Sequence, residues 1–213
     1  IQSQWIDDRR ALRMFLDEAR ITVALQHPNI VQVFDLGESQ GDYFIVMEYV
    51  EGMDLRRLLT ACTQASTTFP YKHTLLVATE SLKGLCYAHA ATGADGAALS
   101  VVHQDISPAN IMVSRGGAVK LTDFGVARAA IAKWERDPDE ILGKYRYFAP
   151  ELVQGAQPSV RSDVFAIGAV LYELVTGEPL LKGDDFDEVY DELLAFDPND
   201  AMDRDLSIPQ PLE

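Results

Sequence analysis

Two carboxylates and one amide, set at fixed intervals between short apolar runs, constrain this chain more than any other feature. They are Asp105 and Asn110, within His103-Gln104-Asp105-Ile106-Ser107-Pro108-Ala109-Asn110, and Asp123, which opens Asp123-Phe124-Gly125. Ala149-Pro150-Glu151 follows downstream. Residues 99–102, 111–113 and 119–121 read as strand-like flanks. The spacing suits movement of a phosphoryl group from Mg-ATP to a hydroxyl, where a protein chiefly positions groups and neutralises charge. Asp105 accepts the hydroxyl proton, Asn110 offers a neutral oxygen to one Mg2+, and Asp123 offers a carboxylate to the metal bridging the phosphates. Any one of these short motifs alone reads as an ordinary turn; their joint order has few structural explanations.

On these motifs the chain resembles the eukaryotic-like protein kinases, most closely their bacterial serine/threonine branch, from about Glu18 to Gly183. The resemblance implies an α+β fold of two lobes, a small β-rich one and a larger helical one, with ATP and Mg2+ in the cleft between them. It divides the chain into the remainder of the small lobe (1–47), a hinge (48–53) and the helical lobe (54–213). It implies that Glu18 pairs with an ATP-anchoring lysine and that Met47 lies beside the adenine. The backbone of Glu48 to Val50 would bond the adenine edge, Asp54 would reach the ribose, and Met112 would pack under the ring. Asp54 also reads as a helix N-cap. Asp163 would accept hydrogen bonds from the catalytic-loop backbone, with an N-cap as the competing reading.

Apolar spacing predicts a helix over residues 7–25, around Leu12, Phe15, Leu16, Ala19 and Val23. Residues 30–34 and 42–48 read as paired strands with turn chemistry at 37–41, and 55–60 as a short helix. A loop is expected over 61–69, a long helix over 71–90, a surface turn over 91–100 and a buried helix over 162–176.

Of the 213 residues, 47% are hydrophobic, which fits one globular domain with one core. Only 18 Lys and Arg stand against 33 Asp and Glu, a net charge of -15, which argues against nucleic-acid binding and weakly favours basic peptide substrates, although much of the acidity lies in residues 184–205 and reads at least as well as a solvated helix face or tail. Cys62 and Cys86 fit no metal-ligand spacing and read as reduced thiols, so a cytoplasmic setting is expected. No apolar run reaches membrane-spanning length: residues 164–175 are interrupted by Glu173. A membrane anchor or further domains outside these residues are compatible with that.

Departures from the family pattern are equally informative. Gln104 stands where an arginine usually precedes the catalytic aspartate. That arginine normally receives a phosphate on the activation segment, and residues 124–151 contain no Ser or Thr. Order in that segment is therefore expected from packing or from pairs such as Arg136 with Asp139, with Tyr145 and Tyr147 left as possible phosphate acceptors. Ser107 stands where a lysine usually steadies the transferring phosphate, and Lys144 where a threonine is usual, so Lys144 is expected to reach back and supply the missing charge. A glycine-rich loop and anchoring lysine are not found upstream of Glu18, and residues 207–213 resemble the approach to the family's last helices; the chain reads as part of a longer kinase. Two alternatives stand beside it. One is a pseudokinase acting as a nucleotide-binding or scaffold module, the other a small-molecule kinase, against which Ala149-Pro150-Glu151 and Asp163 speak.

Overall fold

The computed structural model describes residues 22–40, 42–93, 95–124 and 138–197. The helix expected over residues 7–25, Glu18 included, lies outside these apart from its last four residues, of which Thr22 and Leu25 are buried.

Two small antiparallel sheets precede and interrupt a helical body, giving the α+β class expected. The first pairs β1 (Val33–Ser39) with β2 (Asp42–Met47). β1 runs further than the sequence suggested, and Gly37 belongs to the strand rather than to a turn. It pairs with Phe44, whose ring lies so close across the ladder that a Cβ at position 37 would sit 2.2 Å from its Cζ. Glycine is required here by the neighbouring ring, and the chain reverses only at Gln40, which takes a left-handed φ of 54°.

The second sheet has the order β3 (Gly52–Asp54), β4 (Ile111–Ser114), β5 (Val119–Leu121). Residues 52 and 53, expected in the hinge, are thus strand residues paired with Ser114 and Val113. The contact is close: a Cβ on Gly52 would meet the Val113 carbonyl oxygen at 2.0 Å. Residues 29–31 stitch the two sheets together, with Val31 N–H donating to the Leu121 carbonyl and Leu121 N–H to the Asn29 carbonyl, both at 2.8 Å. The Asn29 amide donates in turn to the Val119 carbonyl (2.9 Å) and to Glu80 (2.8 Å).

Helix α1 (Leu55–Gln64) is capped by Asp54, whose carboxylate accepts from Arg57 N–H at 2.8 Å. It continues through residues 61–64, expected as loop, and within it Thr60 and Thr63 donate their hydroxyls to the Arg56 and Leu59 carbonyls. Helix α2 (Tyr71–His89) buries Val77, Ser81, Leu85 and Ala88 at helical spacing. Residues 99–102 form no strand. Val101 is buried, but the backbone beyond it donates to a side chain instead of a ladder.

After α3 (Pro138–Tyr145) and the short α4 (Pro150–Val153) comes α5 (Val160–Thr176), the centre of the body. Ser159 and Ser162 form a reciprocal capping box at its start, and Gly177 closes it with φ 76°. Ala166, Ile167, Ala169, Val170 and Leu174 are buried in the main core cluster, where α5 packs on α2 and α2 in turn on β5. α6 (Phe186–Leu194) buries Val189 and Leu193 in a satellite cluster with Leu181, joined to the main one by Phe196. Among the described residues no helix is long and apolar enough to cross a membrane.

Leu174 is fully enclosed while Leu194 is 46% exposed. Leu174→Ala is expected to cost about 2–5 kcal/mol of unfolding free energy in chemical denaturation, and Leu194→Ala no more than about 0.5 kcal/mol.

Candidate active site

The catalytic-loop candidates occupy residues 103–110, entered from buried Val101 and left through a 3-10 turn, Pro108–Asn110, into β4. Proline at the first position of that turn loses no bond it would otherwise make. Asn110 N–H donates to the Ser107 carbonyl at 3.0 Å, and its side-chain amide donates to the Asp105 carbonyl (2.7 Å) and to Asp105 Oδ2 (2.9 Å). Asn110 is therefore oriented with its amide nitrogen committed and its oxygen left to accept or coordinate. Thr122 N–H donates to the Asn110 carbonyl (3.0 Å), tying this loop to the segment that carries Asp123.

A second tie is His103, completely buried beneath both segments. Burial pushes its imidazole below the ordinary value, with the neighbouring carboxylates pulling the other way. Its Nε2 lies 3.0 Å from the Thr122 carbonyl, which fixes the proton on Nε2. Nδ1 then accepts from Asp105 N–H at 3.4 Å. The ring also packs on Phe124, centroid to centroid 4.3 Å.

Asp163 supports the loop from α5. Its two oxygens accept from His103 N–H (2.8 Å) and Gln104 N–H (2.9 Å), and His89 Nε2 lies 2.8 Å from Oδ2. Ser159 is the N-cap, so Asp163 sits a turn inside the helix with its carboxylate facing the loop. Gln104 takes φ 68° and Asp123 φ 61°, left-handed conformations that strain a non-glycine residue.

These constraints bring Asp105, Asn110, Asp123 and Lys144 together. Asp105 is 4% exposed at its side chain. Its Oδ2 receives both the Asn110 amide and Lys144 Nζ, the latter from the last turn of α3. Burial in the cleft pushes the Asp123 carboxyl above its ordinary value and the Asp105 charge adds to that, while His103 and Lys144 oppose it. Asp123 is thus a carboxylate whose charged form would gain from a cation. Beside it opens an apolar cleft lined by Thr22, Val31, Val33, Ile45, Met47 and Phe124.

The other candidates lie apart from that cleft. Glu48 pairs with Lys120 (2.9 Å), and its own N–H donates to the Gln32 carbonyl at 2.8 Å, while its carbonyl accepts no backbone hydrogen bond among the described residues. Val50 is half-buried in the link beyond it. Asp54 caps α1 and faces Met112 across the β3–β4 ladder. Neither Asp54 nor Met112 lines the cleft that holds Met47. Glu18 and Arg136 lie outside the described residues.

Tyr147 corrects an expectation. It is 2% exposed, its hydroxyl donates to Glu173 and accepts from Arg56 Nη2 (2.7 Å), and burial beside Glu173 pushes its phenol further up. A hydroxyl so committed is no phosphate acceptor. This Arg56–Tyr147–Glu173 group was missed by sequence reasoning; its signal was Glu173, a carboxylate inside an apolar helical run. Tyr145 packs on Phe148 and Phe186, and Arg146 Nη2 donates to the Gly183 carbonyl at 2.7 Å.

The donor set fits Mg2+. Among the described residues no group of three or more His, Cys, Asp or Glu is placed to hold a metal, which speaks against a closed zinc-type cage. One amide oxygen and one carboxylate match an ion that keeps its remaining positions for water and phosphate.

The chain matches the protein kinase domain family over residues 2–209. It is 41% identical over 165 residues to the tyrosine-protein kinase MasK of Myxococcus xanthus, covering 78% of this chain and 26% of that protein. It is 33% identical over 213 residues to the serine/threonine-protein kinase PrkC of Bacillus subtilis, covering 100% and 31%. With the serine/threonine-protein kinase PknB of Mycobacterium tuberculosis it shares 37% over 176 residues, covering 80% and 26%. The chain thus spans less than a third of the length of each of these relatives.

Asp163→Ala leaves two loop amides without their acceptor. The expected result is a loss of about 2–5 kcal/mol of stability and faster hydrogen exchange at His103 and Gln104, read by exchange mass spectrometry.

Proposed function

The chain belongs to the protein kinase domain family, and from that premise we propose that it transfers the γ-phosphoryl group of Mg-ATP to Ser or Thr hydroxyls of protein substrates. The observation that carries this reading is the Asp105 carboxylate: nearly buried, one oxygen held by Asn110 and Lys144, the other without a donor among the described residues. A substrate hydroxyl meeting the free oxygen gives up its proton to Asp105 as its own oxygen forms a bond to the γ-phosphorus. The bond from that phosphorus to the bridging oxygen breaks, and ADP departs with the electron pair. Asn110, through its amide oxygen, and Asp123 would hold Mg2+, which would neutralise the charge developing on the transferring phosphate. Met47 would stand at the adenine side, with Glu48 and Val50 supplying backbone groups, Asp54 the ribose contact and Met112 the opposite face of the ring. Acting on ATP and protein, the domain would work in the cytoplasm, with further domains elsewhere in the protein setting substrate and place.

In the full-length protein, Asp105→Asn is expected to abolish measurable transfer of labelled phosphate, a loss of at least about 100-fold, while nucleotide binding by calorimetry persists. Asp123→Asn weakens the Mg2+-dependent part of that binding. Wild-type protein that binds Mg-ATP yet transfers nothing would instead establish the pseudokinase reading.

Lys144, Tyr145, Arg146 and Tyr147 each have a fixed partner, which supports a segment ordered without a phosphate. Phosphatase treatment should leave the rate of transfer unchanged. Release of phosphate from residues 124–151 together with loss of activity would contradict this.

A further inference from the structure

We propose that Lys144 is the phosphate-steadying cation of this site, carried in the last turn of α3 instead of on the catalytic loop; this rests on the phosphoryl-transfer reading above. The loop itself, His103 to Asn110, contains no Lys or Arg. Ser107 is 3% exposed, and its hydroxyl has no hydrogen-bond partner among the described residues, so no charge comes from there. Lys144 Nζ instead reaches Asp105 Oδ2, the oxygen that also receives the Asn110 amide. That seats the ammonium on the Asp105 oxygen that is not left for a substrate hydroxyl. The side chain is only 20% exposed, so its field is less screened by water than that of a surface lysine. Two carboxylates facing an anionic nucleotide need such a charge, and Lys144 stands among them.

Because the charge travels with residues 144–148, it arrives only when they are seated. Arg146 on the Gly183 carbonyl, Tyr147 on Glu173 and Tyr145 against Phe186 hold them there. Docking of the segment and stabilisation of the transferring phosphate become one event, a coupling that a lysine fixed on the loop would not create.

The test uses the full-length protein with Lys144→Thr, Lys144→Arg and the exchange Ser107→Lys with Lys144→Thr. Two quantities are measured: kcat, and the ratio of the dissociation constants for ADP and β,γ-imido-ATP by calorimetry. Lys144→Thr is expected to lower kcat about 100-fold and to reduce the preference for the triphosphate analogue about tenfold. Lys144→Arg should keep most of both, and the exchange should restore both. Should the exchanged protein fail to fold, the contrast between Thr and Arg decides alone. Unchanged kcat in Lys144→Thr overturns the proposal, as do equal losses in the Thr and Arg variants with the nucleotide preference untouched, since the lysine would then only position Asp105. If wild-type protein transfers no phosphate, it is the phosphoryl-transfer reading that falls. The nucleotide preference of the variants then still decides whether Lys144 faces the terminal phosphate.

Discussion

The carboxylate of Asp163 is the interaction on which the site depends. It lies 2% exposed inside the body, where a charge is costly unless its oxygens are occupied. Here they are occupied by two successive backbone amides and a histidine. The same bonds that make the buried charge tolerable force the chain at Gln104 into a left-handed conformation, worth about 1–3 kcal/mol of strain. Helix α5, the most apolar element of the body, thereby sets the course of the loop that carries Asp105 and Asn110. His103 continues the brace to Thr122 and Phe124, so the two acidic residues are fixed relative to one another through protein rather than through a ligand.

What was legible in the sequence follows from how each interaction is encoded. Asp105, Asn110, Asp123 and Asp163 sit in motifs whose spacing is tied to their chemistry, and the structure draws all four into one region. α1 was announced by its cap Asp54, α2 by a long helical pattern and α5 by a run apolar on nearly every side. Failures came where a residue answers to a partner far away in sequence. Gly37 resembles a turn residue until Phe44 is seen lying across it, and residues 61–64, small and polar, resemble a loop although they continue α1. Tyr147 could not be told from an exposed phenol, because Arg56 and Glu173 approach it from two other helices.

The two displaced side chains, Ser107 and Lys144, illustrate a limit of reading positions singly. Taken alone, serine in the loop looks like a loss of function, and lysine in the later segment looks like an ordinary surface charge. Geometry relates them, because Lys144 meets Asp105, 39 residues away in sequence and two positions before Ser107. A catalytic site is a distribution of charge in space, and the chain position that supplies each charge can change while the distribution is kept.

The close approach of Gly52 to the Val113 carbonyl bears on motion. Strand β3 is pinned to β4 at its first residue, and Arg115 N–H donates to the Glu51 carbonyl at 2.8 Å just before it. On the other side, Glu48 is clamped to Gln32, just before β1, and to Lys120 of β5. Between these anchors lie only Tyr49, 87% exposed, and Val50. Two peptide units cannot lengthen, so the first sheet is tethered at a nearly fixed distance. Opening and closing over a nucleotide would be a swing about this short pivot, with the cleft mouth travelling far while the link itself barely moves.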